Sequence, residues 1–178
     1  MKPQDVVDFW MAAGPDRWFT RDAAFDGALS VRFGAAVGEA RRGAFDHWGE
    51  NPESALGLVL LLDQCSRNIH RGSALAFAAD ARALALAKRW IGRNYHHALP
   101  APLASWFIMP FEHAEDLDAQ RRGVAQFQTM GLHEMAHWAQ IHLDIIARFG
   151  RFPHRNPVLG RRSTPAELAF LAAGGFAG

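Results

Sequence analysis

The chain has 178 residues, 49% of them hydrophobic, which is enough for one buried core and too few for two domains of ordinary size. Its 19 basic and 18 acidic residues leave a formal charge of +1, so no global field recruits nucleic acid or an anionic membrane, and any positive patch is local. Because Cys65 is the only cysteine and no long apolar span occurs, we expect a cytoplasmic protein without disulfides.

Composition predicts an all-α fold with no significant strand, because only sixteen residues are Thr, Val or Ile, whereas Ala and Leu dominate. In chain order, helices are predicted over about 3–12, from near 20 to a turn around 43, over 52–72, and over 73–95 with a break near 80. A short helix that reaches 109–110 follows, then helices over 118–130 and 132–149, and a last helix that begins at 164–167. Helix pairs joined by short turns indicate an antiparallel array in one domain over residues 1–178, although no repeat of fixed period is evident.

Local signals mark several of these elements. Asn51-Pro52-Glu53 is typical of an N-cap followed by proline in the first turn, and Thr164-Pro165-Ala166-Glu167 has the pattern of a capping box. Phe25, Leu29 and Phe33 recur at four-residue spacing and predict a buried stripe. We expect the glycine-rich tail, residues 174–178, to fray.

An apolar run over 56–62 passes directly into a polar segment over 63–72. A helix that is apolar on every side is buried, so the polar groups at its end emerge from the core. Asp63, Arg67 and Arg71 share one face, with Gln64 and Asn68 beside them. Two interpretations remain open: internal pairing such as Asp63 with Arg67, or arginines that face a cleft and grip a carboxylate or phosphate.

Two shorter segments also carry candidate groups. His113 and Glu115 follow a Pro-Phe step and are candidates for acid/base chemistry, although acids such as Asp116 also stabilise a helix N-terminus. Gln120 lies further along the same stretch, and the pattern assigns it no role. In the helix predicted over 132–149, the polar candidates are His142, Asp144 and Arg148, the last two four residues apart on one face.

The loop over 150–160 combines aromatic and multidentate polar groups. Arg151, His154, Arg155 and Asn156 surround Phe152, and solvated loops seldom need such a set. We therefore interpret this loop as one wall of a binding site for an anionic or planar ligand.

His133-Glu134-Met135-Ala136-His137 matches the zinc-hydrolase pattern H-E-x-x-H in the right helical context. The residue six positions after the second histidine is Leu143 rather than a third ligand, so we favour ordinary surface histidines and assign no metal. No glycine-rich phosphate loop or nucleophile elbow occurs, we assign no cofactor, and Cys65 is interpreted as an inert core thiol.

Three motifs together resemble a widespread bacterial family called domain of unknown function 924. They are Leu-Leu-Asp-Gln-Cys-Ser-Arg-Asn-Ile-His-Arg-Gly at 61–72, Pro-Phe-Glu-His-Ala-Glu-Asp at 110–116 and Asp-Ile-Ile-Ala-Arg-Phe-Gly-Arg-Phe-Pro-His-Arg-Asn at 144–156. Asp8-Phe9-Trp10 and Trp18-Phe19 extend the resemblance over nearly the whole chain.

The resemblance implies a single helical domain similar to the tetratricopeptide-repeat superfamily, with antiparallel helices around a concave groove and no established activity. The family-like polar positions are Asp63, Gln64, Arg67, Asn68, Arg71, His113, Glu115, Gln120, His142, Asp144, Arg148, Arg151, His154, Arg155 and Asn156. Cys65-Ser66 stands where the family usually has Phe-Pro, and Glu112 and Ala114 replace an apolar residue and a serine, so ligand preference does not transfer.

The leading hypothesis is a groove lined by arginines and histidines, namely Arg67, Arg71, Arg151, Arg155, His113 and His154, that binds a small anionic or polar ligand. Whether a reaction occurs there is left open. The alternative is a module that binds a peptide or protein, as stacked helix pairs do. A zinc hydrolase built on His133, Glu134 and His137 comes third.

Overall fold

Helices dominate the computed structural model, which describes residues 1–176, and no strand occurs in that range. The α-helices are α1 (Pro3–Ala13), α2 (Pro15–Trp18), α3 (Ala23–Arg41), α4 (Pro52–Val59), α5 (Ser66–Ile69), α6 (Asp80–Gly92), α7 (Ala101–Ala104), α8 (Met109–Glu112), α9 (Leu117–Thr129), α10 (His133–Phe149) and α11 (Pro165–Ala172). Leu60–Cys65 is π-helical, and short 3-10 turns cover Asp46–Glu50, Ala74–Phe77, Tyr95–His97, Ser105–Phe107 and Pro153–Arg155.

The side chain of Asp22 sets the start of α3. Its carboxylate accepts hydrogen bonds from the backbone amides of Ala24, at 2.9 Å, and Phe25, at 3.0 Å. These bonds satisfy two amides of the first turn, so the helix begins at Ala23 rather than near Thr20.

Both start signals taken from the sequence are confirmed. Asn51 Oδ1 accepts a hydrogen bond from the amide of Ser54 at 3.0 Å. Thr164 and Glu167 form the reciprocal capping box, in which the carboxylate of Glu167 also accepts from the amide of Thr164 at 2.7 Å.

The helix predicted over 52–72 is not one regular helix. The amide of Ser66 donates to the carbonyl of Leu61, five residues back, which is the π-helical pattern. A regular α-helix resumes in α5 but ends at Ile69. The break expected near 80 in the segment predicted over 73–95 is confirmed, because Ala74–Phe77 is a separate 3-10 turn and α6 begins at Asp80; α6 ends at Gly92, a few residues earlier than predicted.

The chain forms two compact units. The N-terminal unit contains Met1–Arg71 and Leu75–Pro110, and the C-terminal unit contains Gly72–Ala74 and the chain from Phe111 onward. None of the helices described in residues 1–176 is long and apolar enough to cross a membrane.

The core of the N-terminal unit is aromatic and aliphatic. Its large side chains with under 2% exposure include Trp10, Leu29, Phe33, Trp90 and Trp106. α1 packs against α4, and the contact is so close that a Cβ on Gly57 would lie 2.7 Å from the carbonyl oxygen of Pro3. Glycine is therefore required where these two backbones meet.

In the C-terminal unit, α9 packs against α10 across the short connection 130–132. The core contains Ile145, Ile146 and Phe152, with Phe149 and Phe170 packed against it. Gly174 and Gly175 donate backbone hydrogen bonds to the last turns of α11. The frayed tail expected over 174–178 falls partly outside the described residues, which end at 176.

Candidate functional site

In the N-terminal unit, the predicted polar face holds an internal network. Arg67 donates from Nη1 to Asp63 Oδ1 at 2.9 Å and from Nη2 to Asp80 Oδ2 at 3.0 Å. Gln64 Nε2 donates to the second oxygen of Asp63 at 2.7 Å. Asp63 is 1% exposed, so these bonds offset much of the cost of burying its carboxylate. The Asp63–Arg67 pair, one of the two interpretations of the sequence, is formed.

The end of the same face is held by Asp26 of α3. Arg71 grips this carboxylate with two bonds, from Nε at 2.7 Å and from Nη2 at 3.1 Å. Asn68 Nδ2 donates to Asp26 Oδ1 at 2.9 Å. The bidentate grip expected of a ligand carboxylate is thus made with a carboxylate of the chain itself.

Cys65, beside this network, is completely buried. Burial raises the pKa of its thiol to about 12. The thiolate is the reactive form of cysteine, so the structure agrees with an inert core thiol.

In the C-terminal unit, Glu115 is held by cations and a backbone amide. Its oxygens accept from Arg161 Nη1 at 2.6 Å and Nη2 at 2.8 Å, and from the amide of Phe152 at 2.8 Å. Burial raises the pKa of Glu115, but these bonds and the charges of Arg161 and Arg155 outweigh it, so the pKa lies below its usual value. A carboxylate held so firmly in its anionic form is a poor general acid or base.

Arg151 and Asn156 converge on Glu167. Arg151 donates to both oxygens of this carboxylate, at 2.6 and 2.9 Å, and Asn156 Nδ2 donates to one of them at 3.3 Å. The hydrogen bond from Arg151 lowers the pKa of Glu167 to about 2. Arg161 Nε donates to Asn156 Oδ1 at 2.9 Å, which joins this group to Glu115.

A buried histidine–carboxylate pair lies between α8 and α10. His142 Nδ1 is 2.9 Å from Glu112 Oε1 and 2.8 Å from the carbonyl oxygen of Trp138. Both neighbours are acceptors, so Nδ1 carries the proton and donates it. Glu112 and His142 are 4% and 7% exposed.

Three buried polar atoms around this pair have no hydrogen-bond partner within residues 1–176. They are Glu112 Oε2, Gln120 Oε1 and His154 Nδ1. Gln120 is fully buried, and its amide nitrogen donates to the carbonyls of Glu112 and Ala114. A buried acceptor without a donor costs about 1–3 kcal/mol, so a ligand that supplies donors here would recover part of that cost.

Aromatic rings surround the two histidines. Phe176 lies 4.5 Å from His142 and 5.4 Å from His154, ring centroid to centroid, and Phe152 lies 5.4 Å from His142. The guanidinium of Arg155 stands 4.3 Å from the Phe152 ring centroid. Burial, then the charges of Arg155 and His142, lower the pKa of His154 to about 4, so its imidazole is neutral at pH 7.

We call this group the C-terminal polar cluster; it comprises Glu112, Gln120, His142, Phe152, His154 and Phe176. Of the predicted residues it unites Gln120, His142 and His154. The sequence did not identify Glu112 as the partner of His142, nor the residues that hold the other predicted side chains, namely Asp26, Asp80, Arg161 and Glu167.

The remaining candidates on α10 lie elsewhere. Asp144 accepts a hydrogen bond from Gln140, and Arg148 lies over the rings of Phe149 and Phe170 rather than in a pair with Asp144. His133 and His137 are exposed, as predicted for surface histidines. Within residues 1–176, no group of three or more His, Cys, Asp or Glu side chains is placed to hold a metal ion.

Comparison with known proteins places the chain among bacterial helical proteins. The family model described as bacterial protein of unknown function (DUF924) matches residues 6–175. A solved structure, a protein of unknown function, ATU0120, from Agrobacterium tumefaciens, is 46% identical, with 97% of each chain covered and a TM-score of 0.92. No curated protein matches the chain. The chain therefore belongs to the bacterial family DUF924.

Proposed function

We propose that this protein binds a small polar molecule at the C-terminal polar cluster, through hydrogen-bond donors such as amino, amide or hydroxyl groups. The observation that carries the proposal is the carboxylate of Glu112. It is 4% exposed, His142 holds one of its oxygens, and the other has no partner within the described residues. A donor supplied by a ligand would satisfy that oxygen.

The chemistry of the cluster favours a ligand rich in donors over an anion. Among the described residues, two acceptors of the cluster have no hydrogen-bond partner, Glu112 Oε2 and Gln120 Oε1. Of the nearby cations, Arg151 and Arg161 are each committed to a glutamate of the chain, and the guanidinium of Arg155 lies over the Phe152 ring. An incoming anion would have to compete with these bonds, whereas an amine or hydroxyl would add the bonds that the cluster lacks.

If the bound molecule is a substrate, His142 is the residue we assign to proton transfer. Its Nδ1 proton points at Glu112 and at the carbonyl of Trp138, which fixes the ring orientation and leaves Nε2 as the basic nitrogen. This pair replaces the His113–Glu115 pair inferred from sequence, since Glu115 is held by Arg161.

The experiment is a thermal-shift screen with primary amines, amino alcohols, amides and polyols, because binding to the folded state raises Tm. We expect at least one class to stabilise the protein and Glu112→Gln to abolish that shift. Glu134→Gln, at an exposed glutamate of α10, is the matched control and should leave the shift intact. A screen without any stabiliser, or an equal shift in Glu112→Gln, would refute the proposal.

We also propose a tetratricopeptide-like arrangement of the helices, which is supported by the packing of α9 against α10 across a short connection.

Peptide binding is the second candidate function. It is favoured by Trp138, which is 47% exposed on α10, because an exposed tryptophan is a frequent anchor at protein interfaces. If peptides bind here, Trp138→Ala should abolish capture from a peptide library, and unchanged capture would exclude this surface.

A further inference from the structure

A second candidate site lies in the N-terminal unit, at a cavity of about 320 Å³. It is lined by Gly38, Arg41, Arg42, Ala78, Ala79 and Arg82, and we call it the arginine cavity. Half of its lining residues are arginines, and none is acidic. On a chain with a formal charge of +1, this is the local concentration of positive charge that an anion requires.

The fold brings these arginines together from two helix ends. Arg41 is the last residue of α3 and Arg42 follows it, whereas Arg82 is in the first turn of α6. Gly43 then turns the chain with a φ of 91°, and a Cβ at that position would lie 3.2 Å from Arg82 Nη2. The turn that ends α3 therefore packs directly against the guanidinium contributed by α6.

The positive charge of this arrangement is only partly balanced, because the carboxylate of Asp46 pairs with Arg82 alone. Arg82 places a cation at the N-terminal, positive end of the α6 dipole, where cations are disfavoured. The N-cap residue, Ala79, has no side chain that could accept from the first-turn amides. An anion in the cavity would relieve the repulsion and could accept from those amides.

Acidic groups near the cavity are engaged elsewhere or pair with only one of its arginines. Asp46 forms an ion pair with Arg82 Nη2. Asp80, in the first turn of α6, accepts from Arg67. Burial, and then the positive charge of Arg41, lower the pKa of the His70 imidazole.

The lining suits a phosphate better than a single carboxylate. One guanidinium satisfies a carboxylate with two parallel bonds, whereas three guanidinium groups on two helix ends match the several oxygens and higher charge of a phosphate. The volume is at the small end of ligand pockets, which suits a compact molecule.

We propose that the arginine cavity binds a small soluble molecule bearing a phosphate or pyrophosphate group, held by Arg41, Arg42 and Arg82. This site is independent of the C-terminal polar cluster. Arg42 is the most exposed of the three, and removing its charge should disturb the fold least.

Isothermal titration calorimetry with inorganic pyrophosphate tests the proposal. We expect measurable binding that weakens with salt, and about a tenfold loss in Arg42→Gln, which is the usual size of one charge-assisted hydrogen bond. Arg93→Gln removes an exposed arginine at the opposite end of α6 and should change the affinity less than about twofold. Circular dichroism of both variants establishes that they are folded.

Asp46→Asn should change the affinity for pyrophosphate in the opposite direction to Arg42→Gln. Removing this carboxylate frees Arg82, so pyrophosphate should bind several-fold more tightly. Equal affinity in Arg42→Gln and the wild type, weaker binding in Asp46→Asn, or no binding at millimolar pyrophosphate would each overturn the proposal. Binding to phosphatidic acid vesicles or to a DNA duplex without binding to pyrophosphate would overturn it as well, because it would show an extended anionic partner.

Discussion

Replacing His154 with glutamine should flatten the dependence of stability on pH between about 7 and 5. His154 has a pKa of about 4 in the folded chain and 6.5 as its ordinary value. Below pH 6.5, His154 binds a proton in the unfolded chain but stays neutral in the folded chain. Acidification therefore favours unfolding until the pH reaches the pKa of His154 in the folded chain. At about 1.36 kcal/mol per pKa unit, the full window is worth at most about 3 kcal/mol, of which about 2 kcal/mol falls between pH 7 and 5.

Urea unfolding followed by circular dichroism at several pH values measures this effect as a change in the free energy of unfolding. The measurement should stay above pH 5, because Glu115 and Glu167 have lowered pKa values and their contributions are lost only below about 4.5. His133→Gln, at an exposed histidine, is the control and should run parallel to the wild type. If His154→Gln also runs parallel to the wild type, the argument from burial is refuted.

Three substitutions and one labelling experiment test the packing, capping and burial of the N-terminal unit. Gly57→Ala should lower the free energy of unfolding by about 1–3 kcal/mol, because the new methyl meets the backbone of Pro3, whereas Gly27→Ala, with open space around it, should raise it by up to about 1 kcal/mol. Asp22→Ala should cost about 1 kcal/mol in chemical denaturation, since two amides of α3 lose their acceptor, and an unchanged midpoint would contradict that role. Cys65 should resist a thiol reagent until the protein is unfolded in urea, and rapid labelling of the native chain would contradict its burial.

The parts of the fold that were predicted from sequence depend on neighbouring residues. The cap at Asn51 and the capping box at Thr164 involve residues three positions apart, and both are formed. The stripe of Phe25, Leu29 and Phe33 is buried, as helical spacing predicts. The π-helical turn within the apolar run was not predicted, because an uninterrupted apolar run has no periodicity that would distinguish α from π geometry.

The candidate site was predicted less well because its hydrogen bonds join distant parts of the chain. Arg71 pairs with Asp26, 45 residues earlier, and Arg161 pairs with Glu115, 46 residues earlier. A sequence pattern shows that arginines are abundant near a helix end, but it does not show which carboxylate reaches them. Arg151 was assigned to a ligand for this reason, although it is held by Glu167.

The π-helical turn at Leu60–Cys65 has a consequence for how the chain tolerates a change in length. This turn holds about one residue more than an α-helical turn, so deleting a residue there would convert it to a regular α-helix. Arg67 and Arg71 would then keep their present direction around the helix axis relative to the side chains of α4. The same deletion within α10 would rotate every later side chain of that helix by about 100°. The most buried stretch of the N-terminal unit is therefore also the one that can lose a residue without rotating the side chains that follow it about the helix axis.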